Sequence, residues 1–340
     1  MREKRNYNLK EHNTFGIEAH CRRYVETSST AETQAFVRTL TAGDKPLVVL
    51  GGGSNTLFTA DIEGTVLHPA IDGIEVIETA HDYILLRCGS GERWDDVVAY
   101  CVRRGMYGAE NLSAIPGHVG AAVVQNIGAY GSEIKDIIHA VEAVDIARGG
   151  TVCVIPPSHC RYGYRSSRFK NEWAGRFVIT HVTLRLSPTF TPRLDYGNIR
   201  ATLAERGIAV PTARELRQAV IDIRRAKLPD PAVMGNAGSF FTNPVVPESE
   251  YRRLADAYPG IPHYNAGGGL VKIPAAWLIE QCGWKGKSLG HAGVHERQAL
   301  VIVNRGGATA ADIIAICRAV QADVSHRFGI TLTPEVNFVP

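Results

Sequence analysis

Ile115-Pro-Gly-His-Val-Gly-Ala-Ala-Val-Val-Gln-Asn-Ile-Gly-Ala-Tyr-Gly131 decides how the chain is read, because seven of its seventeen residues are glycine or alanine. Such density of small residues lets another body come close to the backbone. That body is either a flat or extended ligand, to which Gln125 and Asn126 would offer amide donors and acceptors, or a tightly packed neighbouring element. A second glycine run, Gly51-Gly-Gly-Ser-Asn55, follows the apolar Leu47-Val-Val-Leu50. Its backbone N–H groups could approach a pyrophosphate, or the run could be an ordinary tight turn. It is not a dinucleotide fingerprint of the GxGxxG kind, because Thr56 stands where the last glycine would fall.

Outward from these loops the pattern is mixed α+β. Ser29 and Glu32 have capping-box spacing ahead of Ala35, Phe36 and Leu40, and residues 47–50 read as a short buried strand. Strands are predicted at 74–77, 83–88, 141–146, 151–155 and 177–186, and a helix over 94–104 is stopped by Gly105. Thr212 and Glu215 open a helix that Lys227-Leu-Pro-Asp-Pro231 breaks. Helices near 247–257, 274–282 and 309–328 with a strand at 299–303 give the remainder an α/β character. The closing segment 330–338 reads as a strand too short to stand alone, so it must return to an earlier sheet. The expected division is 1–67 joined by the returning 329–340, then 68–225, then 226–328.

The 340 residues, 45% hydrophobic and 21% charged, are those of a globular protein of two or three domains rather than a disordered chain. A net charge of +3 is too small for the basic field that nucleic-acid binding rests on. Seven scattered cysteines, Cys21, Cys88, Cys101, Cys153, Cys160, Cys282 and Cys317, form no CxxC pair and indicate reduced thiols in the cytoplasm. The first ten residues lack an apolar core and no run of 18 apolar residues follows, so neither an export signal nor a membrane span is expected.

Tyr162-Gly-Tyr-Arg-Ser-Ser-Arg-Phe169 puts Arg161, Arg165 and Arg168 beside two tyrosines, either as an anion-binding fork or as a solvated charged loop. Asn236-Ala-Gly-Ser-Phe-Phe-Thr-Asn-Pro244 holds one serine without a GxSxG elbow, which argues against a hydrolase nucleophile. Gly286-Lys287-Ser288 imitates the end of a phosphate loop, but Gln281 stands where that loop needs glycine. His291 and His295 lack the HExxH pattern, and no metal site is expected.

Six motifs in register resemble the UDP-N-acetylenolpyruvoylglucosamine reductase (MurB) family over nearly the whole chain. They are the runs at 51–55 and 115–131, Tyr164-Arg-Ser-Ser167, Lys227-Leu-Pro-Asp-Pro231, Gly235-Asn-Ala-Gly-Ser-Phe-Phe241 and Pro334-Glu-Val336. Pro262-His-Tyr-Asn-Ala-Gly-Gly-Gly269 is similar to a segment of the longer, type I form. His118 and Val123 depart from the family pattern.

The resemblance implies an FAD-binding fold of the vanillyl-alcohol-oxidase (PCMH) type in two subdomains, followed by a C-terminal α/β substrate-binding domain. It implies NADPH-dependent reduction of UDP-N-acetylglucosamine enolpyruvate to UDP-N-acetylmuramate by a monomeric cytoplasmic enzyme of peptidoglycan synthesis. FAD, bound without a covalent link, would be held by Gly51, Gly52, Gly53, Ser54, Asn55, Ile115, Pro116, Gly117, Gly120, Gln125, Asn126, Gly128, Ala129 and Tyr130. Ser239 would donate the proton to a carbanion stabilised by Arg165 and by Glu335, the latter protonated because an ionised carboxylate would repel it. Tyr164, Tyr196, Lys227, Asn243, Tyr264, Lys285 and Gln298 would bind the nucleotide sugar, with Tyr264 on a mobile loop. Two rivals share part of this pattern. Another FAD oxidase would keep the glycine loops without Ser239, Lys227 and Glu335, and a nucleotide-sugar sensor would keep Tyr196 and Lys285 without the acid.

Overall fold

Trp94–Arg104 is a helix because its apolar residues recur with helical spacing: Trp94, Val97, Val98 and Cys101 are all buried. Gly105 ends it in the left-handed region at φ 72°, a conformation open to glycine without strain. The helix shares one core with a five-stranded antiparallel sheet, whose order is Thr151–Ile155, Ile138–Asp145, Phe177–Leu186, Ile84–Gly89 and Ile74–Thr79. The computed structural model describes residues 1–340.

A four-stranded sheet, in the order Arg2–Asn8, His20–Thr27, Ile62–Pro69 and Leu47–Val49, accompanies it. Ile62–Pro69 pairs in parallel with the strands on both sides of it. Val25, Phe36, Val37 and Leu67 pack with Val144 and Val178 of the five-stranded sheet. The strand expected to be buried at 47–50 lies at the sheet's edge, so Val49 is exposed and only Leu50 is buried. Helix Ala213–Lys227 places Leu216, Ala219, Val220 and Ile223 against Leu194, Ile199 and Leu203.

These elements belong to the first of two compact units, Met1–Tyr7, His20–Gly53 and Ile62–Ala226. The second comprises Asn8–Ala19, Ser54–Asp61 and Lys227–Pro340. Its long helix, Ala310–Phe328, is opened by a reciprocal capping box between Thr309 and Asp312. Ile313, Ile316, Val320, Val324 and Phe328 of that helix share a core with Phe15, Phe240, Phe241, Leu278 and Ile279. An antiparallel sheet runs in the order Asn236–Ser239, Val301–Asn304, Ala292–Val294 and Ser288–Leu289.

The returning strand is shorter than expected. Only Asn337–Val339 forms a ladder, in parallel with Thr56–Phe58, and Pro334, which has no N–H to donate, makes a lone bridge with Phe241. The returning strand thus joins residues within 1–67 as expected, but its partner Thr56–Phe58 groups with Lys227–Pro340 in the second unit, apart from the rest of 20–67. No helix is long and apolar enough to cross a membrane.

Candidate active site

In the first unit the two glycine loops lie against each other. A Cβ added at Gly51 would sit 3.0 Å from the Cβ of Ala121, and one at Gly52 would sit 3.3 Å from both the Cα of Gly117 and the Cδ2 of His118. Side chains at these positions would meet Ala121, Gly117 and the His118 ring, so glycine lets the two loops lie this close. Neither 51–55 nor 115–120 carries an acidic side chain, so a diphosphate would meet no repelling carboxylate. Both features fit an extended dinucleotide such as FAD. The carbonyl of Leu50, just before the first loop, is held by Nδ1 of the buried His68 at 2.8 Å.

Residues 119–125 form a helix, Val119–Gln125, which the glycine content had concealed. Val119, Ala122 and Val123 face its core, and Gly120 is small because a Cβ there would stand 2.9 Å from that of Ser90. At this position close packing explains the glycine. Asn126, at φ 49°, also serves the protein itself: its amide donates to the Gly163 carbonyl at 2.8 Å and to Glu133, and its oxygen accepts from the Lys135 N–H. Gln125 accepts from Lys170 Nζ at 3.0 Å.

The three arginines separate into two groups. Arg161 and Arg168 both pair with Glu172, at 2.8 and 2.7 Å. Arg165 sits at φ 54° in a turn closed by Gly163 and Ser166, which exchange hydrogen bonds of 3.0 and 3.1 Å. Its Nη2 donates to the Gly128 carbonyl at 2.6 Å, and a Cβ at Gly128 would come 2.8 Å from its Nη1. Gly128 is therefore the seat of this guanidinium. Ser167 Oγ ties the turn to the Val124 carbonyl at 2.7 Å, and the exposed Tyr164 ring lies under the guanidinium.

Asn111, buried, donates to the carbonyls of Tyr130 and Arg193, both at 2.9 Å, and Tyr196 packs over Gly131. Burial pushes the Tyr130 phenol up. Ala114, Asn126, Tyr130 and Arg165 all adopt left-handed φ angles without being glycine. Four of the six non-glycine residues with such angles, the others being Asn6 and Arg161, thus fall in or beside the 115–131 segment and the Arg165 turn.

In the second unit Ser239 ends the strand Asn236–Ser239 and pairs with Val301. Asn236 shapes the approach, donating to the Met234 carbonyl at 2.8 Å and accepting from the Gly238 N–H at 2.9 Å. The next residue, Phe240, accepts at 2.8 Å from the N–H of Glu335, whose own carbonyl accepts from Asn55 Nδ2 at 3.2 Å. The segments that carry Ser239, Glu335 and Asn55 are thus joined by one main-chain bond and the Asn55 side-chain amide. Gln298, which turns back to accept from the Leu300 N–H, precedes the strand paired with Ser239.

The other expected substrate residues are less closely grouped. Asn243 Oδ1 accepts from the Ala275 N–H at 2.9 Å and so caps helix Ala275–Gln281. Lys285 pairs with Glu280 at 2.7 Å. Lys227 ends helix Ala213–Lys227 and is exposed. Tyr264 lies not on an irregular loop but on the strand Tyr264–Gly267, which pairs with Leu270–Lys272 around a turn of glycines, and it is 48% exposed. Sequence reasoning missed Asp95, Asn111, Arg217 and Arg224. Their roles depend on partners distant in sequence, and Arg217 and Arg224 stand in a charged helix that reads as solvated.

Residues 21–154 match the model of an FAD binding domain. With the glycine cradle, this defines the chain as an FAD-dependent oxidoreductase of the PCMH-type fold. Residues 230–339 match the model of the UDP-N-acetylenolpyruvoylglucosamine reductase C-terminal domain. UDP-N-acetylenolpyruvoylglucosamine reductase of Bacteroides fragilis (strain YCH46) is 49% identical over 98% of this chain and 99% of its own. The enzyme of that name from Burkholderia vietnamiensis is 48% identical over 96% of this chain and 94% of its own. The crystal structure of UDP-N-acetylenolpyruvylglucosamine reductase (MurB) from Thermus caldophilus shares the fold, with a TM-score of 0.70 at 24% identity and full coverage of both chains. The chain belongs to the UDP-N-acetylenolpyruvoylglucosamine reductase family.

Proposed function

We propose that the chain reduces UDP-N-acetylglucosamine enolpyruvate to UDP-N-acetylmuramate with NADPH, as a monomeric cytoplasmic enzyme of peptidoglycan precursor synthesis. FAD, held non-covalently along 51–55 and 115–131, supplies the two-electron chemistry between NADPH and the vinyl group. The protein's own residues manage charge and proton. Reduction at the terminal vinyl carbon leaves an electron pair on the neighbouring carbon, which spreads into the carboxylate as an aci-carboxylate dianion. Arg165 meets that charge with its planar fork, and Glu335, protonated, donates a hydrogen bond to it. Ser239 then gives its proton to the carbanion, a far stronger base than water, and Lys227 lowers the cost of the transient alkoxide. Tyr164, Tyr196, Asn243, Tyr264, Lys285 and Gln298 bind the nucleotide sugar.

The observation that carries this reading is the bond from Glu335 to Phe240, which supports a joint role for Ser239 and Glu335. The test is the visible spectrum of the purified protein. Oxidised-flavin bands that NADPH bleaches and the enolpyruvyl sugar restores are expected, with the yellow colour passing into the supernatant on acid precipitation. A colourless protein, or colour retained in the pellet, would overturn the corresponding part of the proposal.

A further inference from the structure

We infer that Asp95, Arg217 and Arg224 are positioning residues that clamp Ala114 in its left-handed conformation and thereby preset the loop 115–120 for its ligand; this rests on the reading of that loop as part of the FAD cradle. Ala114 immediately precedes the loop and has φ 58°, a conformation that costs any residue with a Cβ. Both of its peptide groups are engaged by side chains. Its N–H donates to Asp95 Oδ1 at 2.5 Å, and its carbonyl accepts from Arg224 Nε at 3.2 Å. Arg217 fixes the Asp95 carboxylate from the other side, with Nη1 to Oδ1 at 2.6 Å and Nη2 to Oδ2 at 2.9 Å. Two helices, Trp94–Arg104 and Ala213–Lys227, thus supply a bidentate ion pair that holds the Ala114 N–H and a separate arginine that holds its carbonyl.

The far end of the loop is held by main-chain bonds. Trp94 N–H donates to the Gly117 carbonyl at 3.0 Å, Val119 N–H to Glu92 at 2.9 Å, and Gly120 N–H to Ser90 at 3.0 Å. The loop is therefore stretched between a backbone anchor at 117–120 and a side-chain anchor at 114. A glycine at 114 would adopt φ 58° without help, but it would also visit many other conformations. Alanine held by a clamp gives the same turn with less freedom, and a ligand that binds the preset loop avoids the ordering cost. Arg224 also has Tyr130 and Arg165 as neighbours, and burial weakens its hold on its proton. Its placement therefore bears on both ends of the 115–131 segment.

A clamp that merely joins two helices would affect stability whatever residue stands at 114. One that holds Ala114 should lose most of its value when glycine stands there. The experiment measures the rate at which the holoenzyme releases FAD on dilution, read by recovery of free-flavin fluorescence, in Asp95→Asn, Arg224→Met, Ala114→Gly and the two double variants. Asp95→Asn and Arg224→Met should each speed release about tenfold, the equivalent of roughly one net hydrogen bond. On the Ala114→Gly background the same changes should add a factor of about three or less. An equal factor in both backgrounds, or unchanged release in the single variants, would overturn the clamp. If Asp95→Asn does not fold, Arg224→Met, which keeps the ion pair of Asp95 with Arg217, makes the same comparison. An unaltered protein without flavin would overturn the loop assignment and the clamp together, whereas a flavin-bearing protein with indifferent variants would overturn the clamp alone.

Discussion

Glu335 is fixed beside Ser239 by its main chain: its N–H reaches the carbonyl of Phe240 at 2.8 Å, and its own carbonyl accepts from Asn55 Nδ2 at 3.2 Å. Neither bond uses the carboxylate of Glu335 or the hydroxyl of Ser239. Replacing either side chain leaves these two bonds, and so the joining of the two segments, intact.

Ser239→Ala should therefore separate the two half-reactions. NADPH should bleach the flavin at a near-normal rate, whereas reoxidation by the enolpyruvyl sugar should slow by roughly 10²–10⁴-fold, the usual worth of general acid catalysis. Ser239→Cys should retain part of the activity because a thiol can still donate. Anaerobic stopped-flow absorbance reads both steps. Slowed bleaching with normal reoxidation would make Ser239 a cofactor contact instead.

Arg165→Lys should lower kcat more than it raises KM, since a point charge cannot reproduce two parallel hydrogen bonds to a developing dianion. Gly128→Ala should act in the same sense without touching the arginine, because the new Cβ would lie 2.8 Å from Nη1 and push the guanidinium from its seat. Steady-state kinetics of both variants test this. A raised KM with unchanged kcat would assign Arg165 to ground-state binding.

Asp145 gives a pH-dependent contribution to stability. The Arg176 guanidinium holds its buried carboxyl below the usual aspartate range, through bonds of 2.7 and 3.2 Å. A depressed folded-state pKa means that this contribution is complete above about pH 4, the unfolded value, and is lost as pH falls through the lower folded value. Asp145→Asn should cost about 1–2 kcal/mol at pH 7, the lower part of the range for charged hydrogen bonds because Arg176 is partly exposed. Urea unfolding at pH 7 and pH 3 should show the gap shrinking in acid. A gap independent of pH would assign the effect to packing.

The hairpin of Tyr264–Gly267 and Leu270–Lys272 should gain hydrogen-exchange protection when the nucleotide sugar binds. Tyr264 is 48% exposed and its strand lies at the edge of a three-stranded sheet, where local opening is easy. Equal protection with and without substrate would count against closure.

Helix Trp94–Arg104 was fully legible in the sequence because spacing and cap are local signals. Helix Val119–Gln125 was not, since glycine and alanine at its close contacts are the same residues that a ligand loop would use. Arg165 was singled out with Arg161 and Arg168, but only distant partners, Glu172 for two of them and Gly128 for the third, tell them apart. Asn126 offers amide groups to a ligand by its place in the loop and Asn243 matches a family substrate position, and the structure also engages them with Gly163 and Ala275. A polar side chain announces that it will bond, not with whom. The family motifs located Ser239 and Glu335, and the fold supplied the bond that joins their segments.

The parallel pairing of Thr56–Phe58 with Asn337–Val339 also governs how the polypeptide is made. The bond between Asn55 and Asn337 spans 282 positions, so during synthesis the early strand leaves the ribosome long before its partner exists. At about 5–20 residues per second the nascent chain waits roughly 15–60 seconds for it. Throughout that interval the apolar Leu57 and Phe58, buried once folding is complete, lack the partner strand that covers their edge. Residues 54–61, like Phe15, whose carbonyl accepts from Asn304, 289 positions on, stay uncovered through most of synthesis, and the second unit is complete only after translation has passed residue 339.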